Sequence, residues 1–189
     1  MHTNVNEQPI DFEEIYVSYY SRMKNFAQEY VVSGEEAENI VQDVFTELWE
    51  RKDMLTYHTN LIAFLFTATK NRCVDYLRHK VIVREAASYL QEEHDITLRL
   101  KFNSLEAFEQ NLFSEQDIEQ LISRAVDTLP DKCKEIFLKS KFEGKKQKEI
   151  AEELNISINT IESQMGIAYR KLKIELKDYL PLLLFLFGQ

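Results

Sequence analysis

The stretch QKEIAEELNISINTIESQMGIAYRKLK, from Gln147 to Lys173, gathers amide, hydroxyl, carboxylate and cationic side chains at helical spacing. That set of donors and acceptors suits base edges and phosphates. Gln147 to Leu154 reads as a short helix with Ile150, Ala151 and Leu154 inward. Asn155-Ile156 makes a turn, and Ser157 caps a second helix whose buried stripe is Ile161, Met165, Ala168 and Leu172. A small residue at Ala151 lets the two helices cross closely. The pattern is a helix-turn-helix, which lays its second helix in a major groove; the competing reading is a plain helical hairpin inside a larger bundle.

The stripe also predicts the reading face. Opposite it lie Asn159, Ser163, Gly166, Ile167 and Arg170, flanked by Glu162 and Gln164. The early turns hold neither Arg nor Lys, so the commonest contact to guanine is missing. Readout would fall to amide, hydroxyl and carboxylate groups on adenine or cytosine edges, with Ile167 available to a thymine methyl. Lys145, Lys146, Lys148, Arg170 and Lys171 are better placed for phosphates, which position a protein without choosing sequence.

No other chemistry competes. There is no nucleophile beside a base, no phosphate-cradling glycine loop and no carboxylate pair at meaningful spacing, so no enzyme is expected. Cys73 and Cys133 stand far apart and read as reduced, buried thiols. His58 has no second ligand at metal spacing, so neither a metal nor a cofactor is expected.

Upstream, Ala37, Ile40, Val41, Val44, Phe45, Leu48 and Trp49 recur on one face of a helix from Gly34 to Lys52, with Ser33 as its N-cap. The other face carries Asn39, Gln42, Asp43, Thr46, Glu47 and Glu50, either a solvated surface or an acidic docking face. After the polar break MLTYHTN comes LIAFLFTATKNRCVDYLRHK, apolar all round at first and amphipathic later. Thr67, Lys70, Asn71 and Arg78 share one broad face suited to a phosphate backbone or unpaired bases. Tyr57 and His58 lie nearby, where rings could stack on splayed bases; Tyr76 is expected to point into the core.

Four Gly and three Pro in 189 residues favour an all-helical chain. The formal charge of -9 is an obstacle for a DNA binder, but it is unevenly spread. Residues 81–120 hold 3 basic and 9 acidic groups, whereas residues 121–180 hold 12 and 10. So little cationic surplus predicts weak DNA binding by the chain alone.

AENIVQDVFTELWE from Ala37, FLFTATKNRCVDYLR from Phe64 and LPDKCKEIFLKSKFEGKKQKEIAEELNISINTIE from Leu129 together resemble the bacterial sigma factors of the extracytoplasmic function class. The resemblance implies two small helical domains. A region 2 bundle would span residues 10–80, an acidic linker with helical pieces 81–120, a region 4 helix-turn-helix 121–180, and an apolar tail 181–189. It implies that Asn39, Gln42, Asp43, Thr46 and Glu47 dock on core RNA polymerase. Tyr57, His58, Asn60, Lys70, Asn71 and Arg78 would meet the minus-ten element. Ser157, Asn159, Thr160, Glu162, Ser163, Gln164, Ile167, Arg170 and Lys171 would meet the minus-35 element. The acidic linker would then run through a basic polymerase channel, which accounts for the negative charge. An anti-sigma regulator, membrane-anchored in part of the family, is the implied further partner. The alternative function is a stand-alone helix-turn-helix activator.

Two features depart from the family pattern. The recognition helix lacks early arginines, and the chain ends in the apolar run LPLLLFLF. That run is too short to cross a bilayer, so no membrane insertion is expected and the cytoplasm is the expected compartment. It would either pack on the protein's own surface or bind a partner.

Overall fold

A computed structural model of the chain describes residues 12–31, 33–51, 58–87, 92–111 and 114–187. The described residues form helices α1 (Phe12–Tyr30), α2 (Gly34–Arg51), α3 (His58–Ala87), α4 (Glu92–Asn111) and α5 (Glu115–Asp127), then α6 (Asp131–Lys141), α7 (Gln147–Leu154), α8 (Ile158–Glu175) and α9 (Leu180–Phe187). Among them there is no strand, as the low glycine and proline content leads one to expect.

The first three helices make a bundle. The Ser33 hydroxyl accepts the Glu36 N–H at 3.1 Å, capping α2 where expected. Ala37, Ile40, Val41, Val44, Phe45 and Leu48 are buried along that helix. Trp49, expected on the same stripe, is instead 53% exposed, because the helix turns it to the rim, where its ring meets Phe12 edge-on at 5.0 Å. Leu61 to Phe66 are all buried, as a segment apolar on every side must be once neighbours surround it. The helix starts at His58, so His58 and Asn60 belong to its first turn rather than to the preceding break. Further along, Cys73, Val74 and Leu77 are buried and Tyr76 packs partly against the core.

The second bundle is set by its caps. The Ser114 hydroxyl accepts the Asp117 N–H at 3.2 Å and starts α5. Thr128-Leu129-Pro130 separates α5 from α6, and Phe142 ends α6. Gly144 has φ +65°, a left-handed turn that an L side chain resists. Asn155 takes the left-handed conformation at φ 51° and closes α7, a role its short amide side chain tolerates. The Ser157 hydroxyl accepts the Thr160 N–H at 3.1 Å and starts α8. Ile161, Met165, Ala168 and Leu172 are its buried stripe.

The two bundles share one core. Leu105 of α4 is fully buried and Phe102 is partly so, which places this helix against the rest of the molecule. α5 packs along α3, and Arg51 at the end of α2 reaches Glu115 at 3.4 Å. On α1, the Tyr19 hydroxyl donates to the carbonyls of Lys141 and Phe142 at 3.1 and 3.2 Å. α9 packs inward: Pro181, Leu182, Leu183, Phe185 and Leu186 are buried. Burying a phenylalanine of this kind contributes about 1.5–3 kcal/mol. No described helix is long and apolar enough to cross a membrane.

Candidate nucleic-acid and polymerase interfaces

The start of α8 presents the polar face that the spacing predicts. Ser157, Asn159, Thr160, Glu162, Ser163, Arg170 and Lys171 are exposed. Ser157 and Thr160 are not independent groups, since their hydroxyls lie 2.8 Å apart while Ser157 also caps the helix. Gln164 is half-buried, and its backbone carbonyl accepts the Cys133 thiol at 3.2 Å. Ile167 is half-buried as well and packs partly against the core, so it stands at the edge of the face, not on it. Ile158, which the sequence reading passed over, is the exposed apolar residue at the start of the helix. Its place just after the cap was the available signal.

Around α8 the cations divide into two groups. Lys146 and Lys148 are exposed. Lys145 is tied to Glu143 and Glu153 at 2.9 and 2.7 Å, and Glu153 also holds Lys139 at 2.5 Å. The two ammonium groups depress the Glu153 carboxyl to about 2. Lys145, expected at a phosphate, is therefore already neutralised. The Lys171 ammonium donates to the Thr128 carbonyl at 3.3 Å.

The α2 face is continuous. Asn39, Gln42, Asp43 and Thr46 are exposed, Glu47 is half-exposed, and the Thr46 hydroxyl donates back to the Gln42 carbonyl at 3.0 Å. Arg72 on α3 bridges this face, 3.1 Å from Asp43 and 3.7 Å from Glu47. No one-dimensional pattern pointed to Arg72, because its partners sit on another helix.

On α3 the predicted face is only partly formed. Asn71 and Arg78 are exposed, with Arg78 3.1 Å from Asp75. Lys70 is a correction: it is 4% exposed, because the surrounding helices close over that side of α3, and so it is not offered to a ligand here. Thr67 Oγ1 is buried with no hydrogen-bond partner. Tyr57 lies outside the described residues, as do the side chains of His58 and Asn60.

Where α1 meets α6 and α8, Arg22 stacks over the Tyr19 ring at 4.9 Å and donates to the Lys141 carbonyl at 3.3 Å. The Lys141 ammonium sits 5.7 Å from the Tyr169 ring. Burial first, and the Arg22 charge second, push Lys141 down to about 8. Cys73 and Cys133 are free and buried.

A helix-turn-helix with an exposed, cap-started second helix, following a helical bundle with a polar face, fits the class of helical DNA-reading proteins. Residues 15–81 match the sigma-70 region 2 family and residues 119–172 match sigma-70 region 4. The chain is 25% identical over 159 residues to the ferric citrate uptake sigma factor FecI of Escherichia coli (strain K12), covering 84% of this chain and 87% of that protein. It is 23% identical over 164 residues to RNA polymerase sigma factor SigZ of Bacillus subtilis (strain 168), covering 87% of this chain and 86% of that one. The chain belongs to the sigma-70 family, as a promoter-directing sigma factor of the extracytoplasmic function class.

Proposed function

We propose that the two halves divide the work of promoter-specific initiation as follows. Asn39, Gln42, Asp43, Thr46 and Glu47 on α2 dock on core RNA polymerase. Asn71 and Arg78 on α3, with Tyr57, His58 and Asn60 ahead of them, meet the minus-ten element. Asn159, Thr160, Glu162 and Ser163 on α8 read the minus-35 element, with Arg170, Lys171, Lys146 and Lys148 on phosphates. The observation that carries this reading is the exposed first turn of a serine-capped helix inside the region 4 match, where a groove-reading helix needs its side chains free.

The acidic stretch 81–120 faces a basic channel of the polymerase and not the DNA. An anti-sigma protein holds the chain inactive until a signal releases it. Run-off transcription with purified core polymerase, beside a gel shift without core, tests the assignment. Initiation from specific promoters only when both proteins are present is the expected result. Tight, sequence-specific binding by the chain alone would instead favour the stand-alone activator.

A further inference from the structure

We propose that α9 is a built-in clasp that holds the region 2 and region 4 halves closed, and that it must let go before the chain can read both promoter elements. The inference rests on the division of labour proposed above. Phe185 of α9 lies 5.5 Å from Phe26 of α1 and 5.4 Å from Phe66 of α3, and those two rings are 5.8 Å apart. Three buried rings from three helices therefore form one edge-to-face cluster, two of them belonging to region 2. Two residues on, Phe187 meets Tyr169 of α8 edge-on at 5.0 Å. One eight-residue helix thus grips both halves.

Size shows why the grip must be temporary. A compact chain of 189 residues has a radius of gyration of about 16 Å, hence a diameter of about 40 Å. Positions ten and thirty-five are about 25 base pairs apart, on the order of 80 Å along B-DNA. A closed body cannot reach both.

Elsewhere the seam has an apolar stretch, where α5 packs along α3 beside the Arg51–Glu115 pair, and a polar stretch, where α1 meets α6. The polar stretch places Arg22 beside Lys141 with no carboxylate in ion-pair range among the described residues. Its hydrogen bonds run from Tyr19 and Arg22 to carbonyls that water could serve once the halves part. α9 adds non-directional attraction beside that polar stretch.

The test uses the full chain. Phe185→Ala, with helix content unchanged by circular dichroism, is expected to raise the radius of gyration measured by small-angle scattering and to speed association with core polymerase several-fold. An unchanged radius and rate would overturn the clasp.

A second variant spares the buried ring cluster. Phe187→Ala removes only the edge-on contact with Tyr169 of α8 and keeps Phe26, Phe66 and Phe185. It should raise the radius and the association rate in the same direction as Phe185→Ala, by a smaller factor. Wild-type radius and rate in both variants would sink the proposal. If the wild type fails to initiate with core, the sigma assignment itself falls, a result distinct from failure of the clasp.

Discussion

Asp43 on α2 and Arg72 on α3 face each other at 3.1 Å, so the surface assigned to polymerase is ion-paired to the helix assigned to the minus-ten element. Both groups are well exposed, and a pair of this kind adds at most about 1 kcal/mol to stability. Its charge is therefore free to serve recognition.

Asp43→Lys is expected to leave the melting temperature within a few degrees of wild type and to weaken core polymerase binding about tenfold or more, roughly 1.4 kcal/mol. Titration of labelled core polymerase measures the affinity. Wild-type affinity from a folded Asp43→Lys protein would mean that the docking face lies elsewhere.

Asn159→Ala should relax promoter preference at one minus-35 position by about 1–3 kcal/mol, the value of a good base contact. Gln164→Ala should do less, because Gln164 is half-buried at the edge of the face. Transcription from promoters randomised at the minus-35 element separates the two. If neither change alters preference, α8 reads through other residues.

Ser157→Ala should destabilise the region 4 bundle by about 0.5–2 kcal/mol through loss of the cap on the Thr160 N–H. Denaturant unfolding reports this cost in the absence of DNA. A stability equal to wild type would show that the cap is dispensable, and any promoter defect would then belong to DNA contact.

Lys141 gives the seam a pH signature. Folded, it releases its proton near 8; unfolded, near its ordinary 10.5. Between those values the unfolded chain holds more protons, so stability rises with pH. Cys73 and Tyr19, both pushed up to about 12 by burial, work the other way. Their contributions are intact below their ordinary 9 and 10 and fade above them. The rise is thus confined to pH 8–9. Lys141→Met should remove it and raise stability at pH 7, because the buried charge is gone. Urea midpoints at pH 7, 8 and 9 provide the measurement, and identical profiles for variant and wild type would contradict the assignment.

The helix-turn-helix was legible because its determinants are local. The Asn155 turn, the Ser157 cap and the Ile161, Met165, Ala168 and Leu172 stripe depend on neighbours three or four residues away. The same holds for Ser33 and the α2 stripe, up to Trp49, whose exposure depends on where the bundle ends. Lys70 and Lys145 were misjudged for one reason. Helical phase says which way a side chain leaves its own helix, but not whether another helix covers it or whether a carboxylate already holds it.

The sequence alone determined the helical content and the face that α8 turns outward, because each follows from periodicity and capping within a few turns of chain. Only the tertiary structure decided that Arg72 answers Asp43, that Lys70 is covered, and that the apolar run at the end packs its Phe185 against Phe26 and Phe66. Those contacts join residues from 29 to 159 positions apart, and their energy comes from surfaces that meet only after the helices have packed.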